Sequence, residues 1–205
     1  GKSTLINLIP RFYDVTSGSI KIDGIDVRDF NIKTLRSKIG FIRQKTLLFT
    51  GSIKSNIKFG KRKASHEEMV HSAKVAQAYD FINKKEKKFD EPIGEGGSNV
   101  SGGQKQRLSI ARALVRKPEI YIFDDSFSAL DFKTDAILRA ELKKETTHAI
   151  VLIVAQRIGS IMDADKIIVL DEGNVVGIGK HKELLKTCSV YKEIALSQLT
   201  EEELA

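Results

Sequence analysis

An uninterrupted apolar run, Ala149–Ala155, does most to set the fold class of this chain. The run is far too short to cross a bilayer, and its purely apolar character is typical of a buried strand in a parallel sheet. A second apolar run, Ile120–Phe123, predicts another buried strand. Helical patterns alternate with strand patterns at both ends of the chain, as in folds whose helices cover a parallel sheet. The sequence therefore predicts an α/β protein.

The remaining patterns predict further strands and helices around a mostly helical middle. In chain order, they are a helix over Leu5–Ile9 that Pro10 limits, a hairpin around Asp23-Gly24, a strand over Ile39–Gln44, a short helix through Asn56–Phe59, a helix from the Ser65 cap towards Ile82, a helix after Ser101 that ends before Pro118, a helix from Asp131 to about Lys144, a strand over Lys166–Leu170, a turn at Asp171–Asn174 and a helical tail from His181 to the end. Residues 52–116 are expected to form a subdomain inserted into a core of residues 1–51 and 117–205.

Composition narrows the class of protein further. The chain has 205 residues, 41% hydrophobic and 30% charged, which is typical of a soluble globular domain. Its formal net charge of +7 comes from scattered basic residues, and the densest run, Lys84–Lys88, fits a solvated loop or helix end. We therefore expect no nucleic-acid partner, whereas an anionic cytoplasmic membrane face would suit the charge. The lone Cys188 fits a reducing cytosol, and the histidines have no metal-ligand spacing.

A helix start at Ser101-Gly102-Gly103-Gln104 is the richest motif of the chain. An apolar stripe through Leu108, Ala111 and Leu114 predicts the helix that follows. Free N–H groups and the positive end of the helix dipole would face an anion there, and two glycines let it approach the backbone. An ordinary glycine-containing loop before a surface helix would explain the three small residues alone.

Two further segments suggest a binding site for a nucleotide phosphate and its magnesium ion. Gly1-Lys2-Ser3-Thr4 matches the last part of the P-loop pattern, with Lys2 for phosphate and the Ser3 hydroxyl for Mg²⁺. The first glycine of that pattern and the strand before it are absent, so we interpret the sequence as a fragment. Asp124 follows the apolar run at the carboxyl edge of a parallel strand, where such sheets bind ligands. Chance, a solvated lysine and a turn-capping aspartate are the simpler alternatives for each segment alone.

Taken together and in order, these motifs resemble those of ATP-binding cassette (ABC) ATPases. The order is a partial Walker A at Gly1–Thr4, a Q-loop at Gln44, the signature around Ser101–Gln104, a Walker B at Asp124, a D-loop at Ser128–Asp131 and a switch position at Gln156. The resemblance implies a P-loop NTPase core of the RecA-like type with an inserted ABC helical subdomain. It also implies ATP as the nucleotide and Mg²⁺ as the metal ion.

The resemblance assigns roles to single residues. Gln44 would reach Mg²⁺ and the γ-phosphate, and Asp131 would lie across a dimer interface. Asp125 stands where most ABC ATPases have a glutamate that positions the attacking water, and it is one methylene shorter. Gln156 stands where the family has a histidine, and glutamine can donate a hydrogen bond but cannot carry positive charge.

The two departures suggest half of an asymmetric, heterodimeric exporter. The segments 44–59 and 93–99 and the tail 184–199 resemble the exporter branch. In that branch the run before the signature contacts coupling helices of a transmembrane domain. On this hypothesis the chain acts at the cytoplasmic face of a membrane, its own ATP site is slow, and Ser101–Gly103 complete the site of a head-to-tail partner domain. The fragment itself is expected to bind ATP poorly. The alternatives are a soluble ABC ATPase of translation or DNA repair, or a non-hydrolysing ATP clamp.

Overall fold

The computed structural model describes residues 1–199, in which short strands alternate with helices. The helices are α1 (Lys2–Leu8), α2 (Ile32–Ser37), α3 (Ile53–Lys58), α4 (His66–Val75), α5 (Tyr79–Asn83), α6 (Gly102–Leu114), α7 (Phe132–Glu145), α8 (His181–Thr187) and α9 (Ser189–Leu196). The strands are β1 (Lys21–Ile22), β2 (Ile25–Asp26), β3 (Ile39–Ile42), β4 (Gly51–Ser52), β5 (Pro92–Ile93), β6 (Ile120–Asp124), β7 (Ile150–Val154), β8 (Ile167–Asp171) and β9 (Asn174–Gly179).

A parallel sheet of order β3-β6-β7 lies at the centre, which confirms the predicted α/β class. The central strand β6 is buried along its whole length. Tyr121 and Phe123 belong to an apolar cluster with helices α3, α4, α6 and α7, while Ile120 and Ile122 belong to a second cluster with α1 and α2. The side chains of β6 thus alternate between two helical layers, because successive residues of a strand point to opposite faces.

The prediction that the run Ala149–Ala155 is buried is wrong for its first half. Ile150 is 61% exposed and Val151 36% exposed, whereas Val154 is buried. The reason is that β7 pairs only with β6 among the described residues, so its other edge and the start of its faces remain uncovered. An apolar run predicts a strand but does not show which neighbours the strand has.

Several predicted boundaries also need correction. The helix that starts after Ser65 ends at Val75, since Gln77 has a φ of 55° and turns the chain before α5. The strand predicted to reach Gln44 ends at Ile42. The helical tail breaks at Cys188, whose backbone is extended, and residues 200–205 of that prediction lie outside the described part of the chain.

Hairpins join the outer strands. The one predicted around Asp23-Gly24 is confirmed, with both residues at positive φ between β1 and β2. The turn predicted at Asp171–Asn174 is confirmed as well, but it leads into β9, an antiparallel partner of β8 that the sequence analysis did not predict. The C-terminal helices pack on this hairpin through the buried residues Leu184, Tyr191 and Ala195. No helix within residues 1–199 combines the length and apolarity needed to cross a bilayer.

The capping box predicted at Ser65 is present, and its contribution to the stability of the fold can be tested. Its hydroxyl accepts from Glu68 N at 3.1 Å, and the Glu68 carboxylate accepts from Ser65 N at 3.0 Å. We expect Ser65→Ala to lower the free energy of unfolding by about 1 kcal/mol, because the Glu68 amide at the helix start loses its acceptor. Urea denaturation measures this. Ser17→Ala, at an exposed bend of the chain, is the control and should change stability by less than about 0.5 kcal/mol.

The proposed division into a core and a subdomain over residues 52–116 stays a prediction. Helices α3 to α6 fall inside that range. Their apolar cluster continues without a break into Tyr121 and Phe123 of β6, so one hydrophobic core joins the helical segment to the sheet.

Candidate functional site

The start of α1 lies against the end of the central strand. Gly1 is the N-cap residue of α1, and Lys2, Ser3 and Thr4 form its exposed first turn. The Ser3 hydroxyl donates to Asp124 Oδ1 at 2.8 Å across 121 residues of sequence. The structure therefore brings together a residue of the P-loop pattern, Ser3, and a residue of the Walker B pattern, Asp124.

Two other predicted site residues, Gln44 and Gln156, meet at Asp125. Its Oδ2 accepts from Gln44 Nε2 at 2.9 Å and from Gln156 Nε2 at 2.8 Å. Gln44 lies two residues after β3, Gln156 two residues after β7, and Asp125 directly after β6. Because the carboxyl ends of adjacent parallel strands share one edge of the sheet, the three side chains converge there.

The backbone of Asp125 is in the left-handed region, with a φ of 46°. Aspartate and asparagine adopt this region more readily than most residues, since a short polar side chain can bond locally. Three bonds hold the turn: Asp125 N donates to Val154 O at 2.9 Å, the Ser128 hydroxyl to Asp125 O at 2.9 Å, and the Ser126 hydroxyl to Ile42 O at 2.9 Å. The turn thus links all three strands of the sheet at the site.

Oxygen atoms around Asp124 suit a magnesium ion in part. The Ser3 hydroxyl, the Asp124 carboxylate and the Gln44 amide oxygen are the kinds of ligand that Mg²⁺ prefers. Gln44 uses its amide nitrogen on Asp125, which leaves its Oε1 for another partner. Within the described residues, no group of three or more His, Cys, Asp or Glu side chains forms a metal cage. The residues therefore fit an ion that is also held by substrate phosphates and water, as Mg²⁺ commonly is.

The signature segment forms an open helix N-terminus. Ser101 caps α6, its hydroxyl accepting from Gln104 N at 3.3 Å while Gln104 Oε1 accepts from Ser101 N at 3.1 Å. Gly102 is exposed, and a Cβ there would meet no atom within 4 Å. A Cβ on Gly103 would lie 3.2 Å from Ala129 O, so the helix start packs closely on the D-loop segment. No hydrogen bond within residues 1–199 joins this segment to the group around Asp125.

Asp131 caps helix α7, as predicted. Its carboxylate accepts from Thr134 N at 2.9 Å and from the Thr134 hydroxyl at 2.8 Å, and these hydrogen bonds lower the pKa of Asp131. The positive charge of Arg107, on α6, favours the ionised form as well. The capping role that the residue could have in any helix is therefore present. Its expected place at a dimer interface stays a prediction.

Two side chains that the sequence analysis did not single out connect the Q-loop to the helices. Gln106, buried on α6, accepts a short hydrogen bond from the Thr46 hydroxyl and donates to Arg43 O at 3.4 Å. Arg112 donates to Asn56 O at 2.9 Å and to Leu47 O at 3.0 Å, and burial lowers its pKa to about 10. Gln106 lies two residues after the signature residues Ser101–Gln104 on the same helix, which could have drawn attention to it, whereas nothing in the local pattern marked Arg112.

Comparison with known proteins decides the family. The ABC transporter family model matches residues 1–128. The chain belongs to the ABC transporter family. Proteins named "Putative multidrug export ATP-binding/permease protein" from two Staphylococcus aureus strains are 46% and 47% identical to this ABC transporter chain over 194 residues. That alignment covers 95% of the chain and 34% of each relative, so the chain spans about a third of their length.

A solved structure agrees with this placement. The structure of a bacterial Atm1-family ABC exporter with ATP bound matches the ABC transporter chain with a TM-score of 0.95 and 38% identity. It covers 98% of this chain and 35% of the exporter chain. The P-loop NTPase class and the resemblance to exporter nucleotide-binding domains are thus confirmed, and the soluble ATPase and clamp alternatives are not favoured.

Proposed function

We propose that this chain is the ATP-binding domain of an exporter and that it powers efflux across a membrane by hydrolysing ATP with a second such domain. The names of the relatives, which join an ATP-binding part to a permease part, support this role. The chain would act at the cytoplasmic face of the membrane. Coupling helices of the transmembrane part would rest near the exposed side chains of Leu47, Phe49 and Phe59, where Arg112 stacks on both aromatic rings.

The start of α1 and the end of β6 would bind the nucleotide. Lys2 would contact the β- and γ-phosphates as a point charge, and the first amide groups of α1 would face the same anion. Ser3, Asp124 and Gln44 would hold Mg²⁺, which when bound neutralises charge on the phosphates. The hydrogen bond from Ser3 to Asp124 supports this assignment, because it already holds two oxygen ligands side by side.

The convergence of two amides on Asp125 carries the proposal that this ATP site is slow. A carboxylate oxygen offers about two lone-pair directions, and Oδ2 uses both for the side chains of Gln44 and Gln156. That oxygen cannot accept a proton from water in the same geometry. The other oxygen lies on a side chain one methylene shorter than the usual glutamate, and a displacement of about 1 Å can cost ~10²-fold in rate.

Gln156 also makes the site slow, because it lacks the charge and the exchangeable proton that a histidine would supply at this position. An amide can donate one hydrogen bond to a γ-phosphate, but it stays neutral and cannot exchange a proton as an imidazole does. In the structure its amide nitrogen uses one of its two N–H groups on Asp125. Both departures therefore act at one nucleotide site, which we propose binds ATP and turns it over slowly.

The signature segment is proposed to serve the other site. Ser101, Gly102 and Gly103 present an open helix N-terminus, with space at Gly102 for an anion to approach. In a head-to-tail pair this end would close over the γ-phosphate held by the partner domain, and a partner glutamate would position water. The pair would then be a heterodimer with one slow and one competent ATP site.

A nucleotide-retention experiment tests the slow site. The assembled transporter is incubated with Mg²⁺ and radiolabelled 8-azido-ATP, passed rapidly over a desalting column, and cross-linked by light before the chains are separated. We expect label on this chain to remain as triphosphate for many turnover times, and Lys2→Ala to remove that label. Release of diphosphate from this chain at the steady-state rate would contradict a slow site.

A further inference from the structure

The C-terminal end of the described chain is bonded to the loop that carries Gln156. Gln198 lies just after α9, and its side-chain amide makes two hydrogen bonds to main-chain groups of the loop. Its Nε2 donates to Gln156 O at 2.8 Å, and its Oε1 accepts from Ile158 N at 2.9 Å. The amide thus bonds to the residue before Arg157 and to the residue after it. Two hydrogen bonds from one planar group fix the orientation of this backbone segment.

Gln198 itself stands on a well-held segment. Its own backbone N–H donates to Ala195 O at 3.0 Å, and Ala195 and Tyr191 of α9 are buried in the C-terminal apolar cluster. The side chain of Ile158 belongs to that same cluster. The loop is therefore held to the C-terminal helices both by a buried side chain and by the amide of Gln198.

The remaining part of the loop, at Arg157 and Gly159, contacts helix α7. Arg139 of α7 donates to Gly159 O at 2.7 Å, and the guanidinium of Arg157 lies 5.2 Å from the ring centre of Phe132 at the start of α7. These contacts hold the far side of the loop. Among the side chains of the described residues, only that of Gln198 hydrogen-bonds to the main chain of Gln156 and Ile158, on the near side of the loop.

We infer that Gln198 is a positioning residue for the ATP site, because it fixes where the Gln156 side chain stands beside Asp125. The hydrogen bonds form a continuous path: Gln198 to the backbone of Gln156, and the Gln156 side chain to Asp125 Oδ2 at 2.8 Å. The inference rests on the proposed function only where it concerns turnover. The placement of the loop is testable without nucleotide.

The first test measures the loop directly. In the full-length, nucleotide-free protein, Gln198→Ala should raise the hydrogen-exchange rate of the Ile158 amide by about 10-fold or more, since that N–H loses its acceptor. Ser197→Ala is the matched control, because its hydroxyl bonds only to Ile194 O within the tail, and it should leave the Ile158 rate unchanged. Unchanged exchange in Gln198→Ala would overturn the inference, whatever the ATPase activity.

The second test asks whether Gln198 acts through Gln156. ATP turnover by this chain's site is measured in the assembled transporter with the partner's site inactivated, for Gln198→Ala, Gln156→Ala and the double variant. We expect Gln198→Ala to change kcat roughly 3- to 10-fold in the same direction as Gln156→Ala, with little change in KM, and to have no further effect once Gln156 is alanine. Effects that multiply in the double variant would show a merely structural role and overturn the inference.

Two controls keep the outcomes separate. Gln198→Glu keeps the length and the acceptor for Ile158 N but loses the donor to Gln156 O. It should retain most of the Ile158 protection, and it replaces the alanine variant in the turnover test if that one fails to fold. A turnover that Lys2→Ala leaves unchanged would contradict the proposed ATP site. The exchange measurement would still decide the inference about Gln198.

Discussion

Replacing Gly102 by aspartate is expected to lower ATP turnover of the assembled transporter by roughly 10²- to 10³-fold. The new carboxylate would stand at the open N-terminus of α6, where the γ-phosphate of the partner's ATP is proposed to bind, and would repel it. The fold should not suffer, because a Cβ at Gly102 meets no atom within 4 Å. A negative charge in the first turn also favours the helix dipole, so the unfolding temperature should stay constant or rise slightly.

The opposite signs of these two effects make the experiment specific. A variant that merely damaged the fold would lose stability and activity together. His66→Asp is the matched control, since it adds the same charge to the first turn of α4, where His66 is exposed. Its ATP turnover should stay within about twofold of the original. Full activity of Gly102→Asp would contradict a role for this helix end in phosphate binding.

Extending Asp125 by one methylene is the second change with a large expected effect. Asp125→Glu, combined with Gln156→His, should raise ATP turnover at this chain's own site by ~10- to 100-fold, because it restores the reach of the carboxylate and a titratable donor. The measurement is the ATPase rate of the assembled transporter with the partner's site inactivated. Glutamate is less suited than aspartate to the φ of 46° at this position, so a stability loss of order 1 kcal/mol is expected alongside.

Two control variants show whether the carboxylate or the histidine causes the expected gain in ATP turnover. Asp125→Asn with Gln156→His has the histidine but no carboxylate, and should remain as slow as the original chain. Gln156→His alone should give only a small increase. If the double change Asp125→Glu and Gln156→His leaves the rate unaltered, these two residues do not limit the site.

The sequence predicted the parts of the fold that depend on local pattern. The apolar run of β6 and the glycine turn at Asp23-Gly24 are local, and both were predicted in their right places. The caps at Ser65, Ser101 and Asp131 were recognisable because a cap needs only residues within one helical turn. The convergence of Gln44 and Gln156 on Asp125 could be expected once the parallel order was assumed, since their strands end at one edge.

Features that depend on distant partners were not predictable in this way. The exposure of Ile150 follows from which strand lies beside β7, and nothing in the run itself reveals that. Arg112 lies against two neighbouring aromatic rings, Phe49 and Phe59, which are more than 50 positions away in the sequence. Gln198 bonds to the loop 42 residues before it. The left-handed backbone of Asp125 also escaped the sequence, because that conformation is set by the turn between three strands.

Asymmetry of the two ATP sites is tested most directly by one pair of substitutions. ATP turnover of the purified, assembled transporter is measured with Asp125→Ala in this chain, and separately with glutamine in place of the glutamate expected at the equivalent position of the partner. Unequal sites predict that the partner substitution lowers turnover by ~10²-fold or more, while Asp125→Ala changes it by less than about twofold. A large loss of turnover in Asp125→Ala would contradict the asymmetric arrangement.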